Sequence, residues 1–413
     1  FVSRFCSQAL AIKVCVFLRC SPLFSMSAPS AELTRGGLAT NLSVEQLAAL
    51  KTIAETLSTP GKGFLAADES AGPWLRAGHS GAKEIPDTAE NRAAYRSMCF
   101  STPGLSEYIS GVILHEETLF QVDAKGSKMV DIITKGGMLA GIKLDKGYTK
   151  DGLPNTAVGP LGHPETWDKG IEDLDKQCAE AYAAGARFAK WRNVLQIDPS
   201  KGIPSELAIF ECVHNLSRYA ATCQRHGLCP IVEPEIVPNG LHAIEVCAAV
   251  TEKVLLAQFQ SLKLHGVYLE GAVLKPNMVK NGIEGPKAPP AAVAQYTIQA
   301  LKRTVPPAMP GIFFLSGETA LDEDNEEVAT VNLDAMHKMY PALPWHVSFS
   351  YGKALQKTCI VTWMGKEENN AAAQAALLSR AKANSDATKG IYAAGSCASV
   401  GIDGNIQMAG GAY

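Results

Sequence analysis

Lysines and carboxylates in this chain recur two residues apart on short apolar runs. Lys143 and Asp145 lie in "GIKLDKG", Lys190 and Arg192 in "ARFAKWR", Glu233 and Glu235 in "CPIVEPEI". Alternate residues of an extended chain share a face, so the members of each pair point the same way. Lys275 closes the run "HGVYLEGAVLK", an apolar stretch that ends on an amine. Taking an ammonium out of water is costly. Burial and neighbouring cations both depress a lysine pKa, and a neutral lysine adds to a carbonyl to give an imine. Asp68 ends "GFLAAD", Ser316 and Gly317 end "GIFFLSG", and Ser350 and Lys353 lie in "WHVSFSYGKAL". Taken singly, each has an ordinary explanation. A lysine after a strand is usually solvated, Glu-Pro-Glu and Ser-Gly are usually turns, and loop starts are polar anyway. Together they point to an enzyme that binds an anionic substrate and uses lysine chemistry.

The framework that positions them repeats. The apolar runs 63–68, 108–116, 141–147, 186–192, 229–236, 266–275, 311–317 and 345–355 read as strands. Segments 43–57, 205–227, 239–266, 288–305 and 367–385 read as helices. Ser43 with Glu45 and Gln46 resembles a capping arrangement, and Gly227 is a stop signal. About eight strand–helix units favour an α/β fold, a single closed (β/α)8 barrel, over an open doubly wound sheet. No GxGxxG follows the first strand, which weakens a dinucleotide-binding reading. In such barrels the reactive groups gather at the carboxyl ends of the strands. If the shared faces look into the barrel, the lysines and carboxylates converge there.

Composition sets bounds. A net charge of −3 argues against nucleic acid as the partner and leaves room for a local basic pocket. No apolar run is long enough for a membrane span. The 11 cysteines are scattered without a CxxC, consistent with reduced thiols. Residues 1–25 carry Arg4, Lys13 and Arg19 and no acid, with an apolar run broken by Lys13. This suits a plastid transit segment better than a secretory signal. The alternative is a cytoplasmic protein whose chain starts at Met26, in "MSAPSAEL". Residues 1–40 are therefore expected outside the fold, 41–389 form the barrel, and the Gly/Ala-rich 390–413 is a mobile tail that ends at Tyr413 and reaches the site.

The ordered motifs "PGKGFLAADES", "GIKLDKG", "GARFAKWR", "PIVEPEI", "EGAVLKPNM", "FLSG" and "FSYGKALQ" resemble class I fructose-bisphosphate aldolase, over about residues 41–413. "KMVDII", "PWHVSFSY" and "RAKANS" look most like its plastid-type branch. The resemblance implies a metal-free, cofactor-free lyase, usually a homotetramer, acting on a phosphorylated sugar. It makes Lys275 the Schiff-base lysine, Glu233 the general acid/base with Glu235 in support, and Asp68 the group that contacts the C4 hydroxyl. Lys190 stabilises developing charge, Lys143 and Arg192 bind near the far phosphate, and Ser316 and Gly317 bind the C1 phosphate. Tyr413 moves the C3 proton. The nine histidines contain no HxH or HH pair, unlike the histidine cluster of zinc-dependent aldolases.

Departures from the family pattern fall near phosphate binding. "DESAGPWLRAGHSGAKEIPDT" has Pro73 and Trp74 and a single arginine, Arg76. Ser316-Gly317-Glu318-Thr319-Ala320 replaces Ser-Gly-Gly-Gln-Ser, "GHPETWDKG" replaces a run of threonines, and Lys353 stands where arginine is usual. An active aldolase with weakened phosphate affinity is the leading expectation. Alternatives are another Schiff-base barrel of the transaldolase or deoxyribose-phosphate aldolase kind, or a divergent paralogue that acts on another phosphorylated ketose or only binds.

Overall fold

The computed structural model describes residues 41–68, 75, 85–316 and 325–397. Eight parallel strands close on themselves in sequence order. They are β1 (Gly63–Ala67), β2 (Ile109–Leu114), β3 (Leu139–Lys143), β4 (Phe188–Leu195), β5 (Cys229–Ile236), β6 (Val273–Leu274), β7 (Gly311–Phe314) and β8 (His346–Tyr351). The expected (β/α)8 barrel is the observed architecture.

Helices cover the outside. α1 (Val44–Leu57) precedes β1, and α2 (Ala89–Phe100) joins β1 to β2. The short α3 (Glu116–Phe120) and α4 (Met129–Lys135) lead to β3, and α5 (Leu174–Ala183) to β4. α6 (Glu206–Arg225), α7 (Ile244–Leu264), α8 (Pro290–Thr304) and α9 (Asn325–Met339) follow the next four strands, and α10 (Lys353–Trp363) and α11 (Asn370–Ala387) close the chain. Ser43 caps α1 in a full capping box with Gln46. Among the described residues no helix is long and apolar enough to cross a membrane.

The barrel interior is packed at its base by Phe64, Ala66, Ile113, Phe188, Ile231, Val273 and Phe313, with Ala54 and Leu57 of α1 beneath. The Phe64 ring lies 5.3 Å from that of Phe188 and 4.5 Å from that of Phe313. The Phe188 ring fits only because its neighbours lack side chains. A Cβ on Gly141 would lie 2.2 Å from it, far inside contact distance. A second apolar layer lies between the strands and the helices.

The structure corrects some element boundaries. The sixth strand is far shorter than 266–275, because Leu269–Gly271 forms a 3₁₀ turn and only Val273–Leu274 pairs. Gln224 explains this, since its Nε2 donates to the carbonyls of Tyr268 and Gly271. A side chain satisfies carbonyls that a strand ladder otherwise takes. The eighth strand stops at Tyr351, so Lys353 is the first residue of α10 and does not belong to the strand. The 239–266 helix starts only at Ile244. Gly240 has φ +104°, outside the helical range, and the preceding loop bonds to Gly282 and Glu284. Beyond α11, Tyr392 is buried, donating its N–H to Asp334 and its hydroxyl to Glu327.

Candidate active site

The interior positions continue from the apolar base to a charged mouth. Strand periodicity carries Ala66 to Asp68, Gly141 to Lys143, Phe188 to Lys190 and Arg192, Ile231 to Glu233, and Val273 to Lys275. Each reactive group is thus two residues above a residue that packs or lines the barrel core, on the same face.

The groups form a connected set. Lys275 Nζ lies 2.8 Å from Glu233 Oε1, and Lys190 Nζ lies 3.2 Å from Glu233 Oε2 and 2.9 Å from Asp68 Oδ2. Glu233 Oε2 has no hydrogen-bond donor in spite of its ion pair, so it keeps acceptor capacity. Lys143 Nζ is 2.6 Å from Asp145 Oδ1, and Asp145 Oδ2 accepts the Arg192 backbone N–H at 3.2 Å. Arg192 Nε pairs with Glu235. Asp68, Lys143, Lys190, Glu233, Glu235 and Lys275 are all buried. The direct ion-pair partner of Lys275 is Glu233, while Glu235 lies near enough to feel the Lys275 charge and pairs with Arg192, two residues above Lys190 on β4.

This arrangement shifts proton affinities. Burial is the largest influence on Lys275 and pulls its pKa below the ordinary lysine value, the Lys190 charge adds to that, and Glu233 and Asp68 oppose it. Burial pushes the Asp68 carboxyl up, but the charges of Lys190, Lys275 and Lys143 outweigh it and hold the group well below the usual carboxylate range. Glu235 is likewise depressed, with Arg192 and Lys275 overcoming burial, and Asp145 is depressed by Lys143 and Lys190. Fixed carboxylates and a lysine that releases its proton easily can attack a carbonyl and shuttle protons.

Other candidates are placed as follows. Ser316 lies just after β7, and Lys353 opens α10 after β8. Gly317, Arg76 and Tyr413, together with Pro73, Trp74 and Glu318, lie outside the described residues. Among the described residues, no group of three or more His, Cys, Asp or Glu side chains is arranged to hold a metal ion.

Three residues were missed. Arg96 of α2, 1% exposed, donates from Nη2 to the Asp68 carbonyl at 3.1 Å and fixes the end of β1. Asp168 accepts the Trp191 indole N–H at 2.7 Å, and burial with the nearby Asp145 charge pushes its pKa well up. His115 follows β2, one strand end at which no polar group had been counted. Its signal was available, because it lies two residues beyond Ile113. Arg96 and Asp168 carry no such signal, since a helix and a loop bring them in from elsewhere.

Comparisons with known proteins agree. The family described as fructose-bisphosphate aldolase class-I matches residues 49–411. The chain is 50% identical to fructose-bisphosphate aldolase 1 of Toxoplasma gondii over 83% of this chain and 90% of that one. It is 48% identical to the cytoplasmic isozyme of Spinacia oleracea over 83% of this chain and 91% of the other. The solved fructose-bisphosphate aldolase of Plasmodium falciparum superposes with a TM-score of 0.79 at 46% identity, covering 86% of this chain and 98% of that one. A lysine-carboxylate mouth on a (β/α)8 barrel, matched over nearly the whole described length, places this chain in the class I fructose-bisphosphate aldolase family.

Proposed function

We propose that the reaction of this family, reversible cleavage of fructose 1,6-bisphosphate to dihydroxyacetone phosphate and glyceraldehyde 3-phosphate, runs here on a Schiff base at Lys275. The neutral Nζ adds to the C2 ketone to form a carbinolamine. Glu233 donates a proton to the departing C2 hydroxyl, water leaves, and an iminium remains. Asp68 takes the proton of the C4 hydroxyl. The C4 oxygen becomes the aldehyde carbonyl as the C3–C4 bond breaks, and its electron pair enters the iminium as an enamine. Lys190, between Asp68 and Glu233, balances the charges that develop. Lys143 and Arg192 bind toward the C6 phosphate, and Ser316 with Gly317 toward the C1 phosphate. Tyr413 returns a proton to C3, and water then hydrolyses the imine. Glu235 holds Arg192 in place.

The observation that carries this reading is the contact chain Lys275–Glu233–Lys190–Asp68, all buried. The test is borohydride reduction with fructose 1,6-bisphosphate present, followed by peptide mass mapping. An adduct on Lys275 is expected, and an adduct elsewhere or none overturns the assignment.

We also read the protein as a homotetramer. Exposed Leu207 and Phe210 on α6 and Leu256 and Leu264 on α7 support self-association. Sedimentation of the purified chain at the mass of a single copy overturns it. The acid-free residues 1–25 support import into a plastid, with the cytoplasm as the alternative. A fluorescent fusion carrying these residues decides between them.

A further inference from the structure

β2 ends at Leu114, which pairs with Ala67 of β1 and with Ile142 of β3. One step further along each strand stand His115, Asp68 and Lys143. Ile113 belongs to the interior cluster, so His115, two residues on, faces the interior mouth as Ile113 faces the base. The imidazole thus enters the site between the carboxylate of Asp68 and the ammonium of Lys143.

Its hydrogen bonding is defined on one side. His115 is the N-cap of α3, and its Nδ1 accepts the backbone N–H of Glu117 at 3.4 Å. A neutral imidazole whose Nδ1 accepts carries its proton on Nε2. Burial, together with the charges of Arg96 and Lys143, pulls the pKa of His115 down, against Asp68 and Glu117, which favours this neutral form. The result is a fixed N–H donor that contributes no charge.

We propose that His115 is a further substrate-contacting residue, which donates a hydrogen bond from Nε2 to an oxygen of the glyceraldehyde 3-phosphate half of the substrate, between C4 and the C6 phosphate. This rests on the reading above, in which Asp68 faces the C4 hydroxyl and Lys143 the far phosphate. The residue between those two faces the carbons between them. The dihydroxyacetone phosphate half, held on Lys275 at β6, is served from the other side of the barrel. His115 therefore sets affinity for the aldehyde and leaves imine formation alone.

Two substitutions separate this from a capping role. His115→Asn keeps a capping acceptor but falls short of the Nε2 position, and His115→Gln places an amide N–H near Nε2 but caps poorly. The KM for each triose phosphate is measured in the condensation direction, with borohydride trapping of dihydroxyacetone phosphate on Lys275 alongside. The Asn variant is expected to raise the KM for glyceraldehyde 3-phosphate by roughly threefold to tenfold, the worth of one hydrogen bond. The Gln variant is expected to restore most of that loss, with the KM for dihydroxyacetone phosphate and the trapping unchanged in both. An Asn variant with an unchanged aldehyde KM, or one that weakens both trioses alike, overturns the proposal. Failure to trap dihydroxyacetone phosphate on Lys275 of the unsubstituted protein defeats the Schiff-base assignment instead, and that experiment does not involve His115.

Discussion

Glu233 Oε1 lies 2.8 Å from Lys275 Nζ, with both side chains almost completely buried. One carboxylate is thereby placed to take a proton from the amine and give one to the departing hydroxyl. Glu233→Gln keeps the shape and removes the proton transfer, so kcat should fall by about 10²–10⁴, the usual contribution of a placed acid/base. The substitution also removes the charge that most strongly raises the Lys275 pKa, so the amine should deprotonate at lower pH. Steady-state kinetics and the pH dependence of imine trapping check both. A kcat within about threefold of the parent contradicts the role.

Asp68, Asp145 and Glu235 have pKa values held below the ordinary carboxylate value in the folded chain. For a depressed acid, the stabilisation is present above the unfolded value of about 4 and is lost as pH falls through the folded value. The denaturant midpoint should therefore fall steeply below about pH 4. Asp68→Asn should flatten that fall.

Asp168 runs the other way. Its pKa is raised by burial and by Asp145, so folding favours the protonated form and the group costs stability as pH rises above the ordinary carboxylate range. Asp168→Asn still accepts the Trp191 N–H without a charge. Its denaturant midpoint should exceed that of the parent at pH 8, with the gain shrinking toward pH 4. An equal loss at both pH values would mean that ionisation of Asp168 carries no stability cost.

The resemblance to the family pattern puts Lys353, the first residue of α10, where arginine is usual. A lysine keeps the charge but not the paired donors that suit a phosphate. Lys353→Arg should lower the KM for fructose 1,6-bisphosphate by roughly threefold or more, with kcat little changed. A KM that stays the same removes this position from the phosphate site.

What the sequence showed depended on how each residue reaches the mouth. Groups on interior strand positions, such as Lys190 and Glu233, were legible because period two and an apolar core below them determine where they point. The sixth strand was overread, because its apolar composition cannot reveal that Gln224, from a different helix, takes the carbonyls of Tyr268 and Gly271. Arg96 was illegible for the same reason, since its partner is a backbone oxygen 28 positions away. The Glu235–Arg192 pair depends on the register of β4 against β5, where Arg192 sits opposite Glu233. No spacing within either strand states that register.

The three phenylalanines that fill the barrel base, Phe64, Phe188 and Phe313, also bear on how catalysis ends. They make the reaction chamber a dead end, so both products must leave by the opening through which the sugar arrived. On the proposed Schiff base, one of them is still tethered to Lys275 when the carbon–carbon bond has broken, and the other is free. The tether thus sets the order of release, the untethered aldehyde first, and the plug of hydrocarbon at the far end makes both halves use one exit.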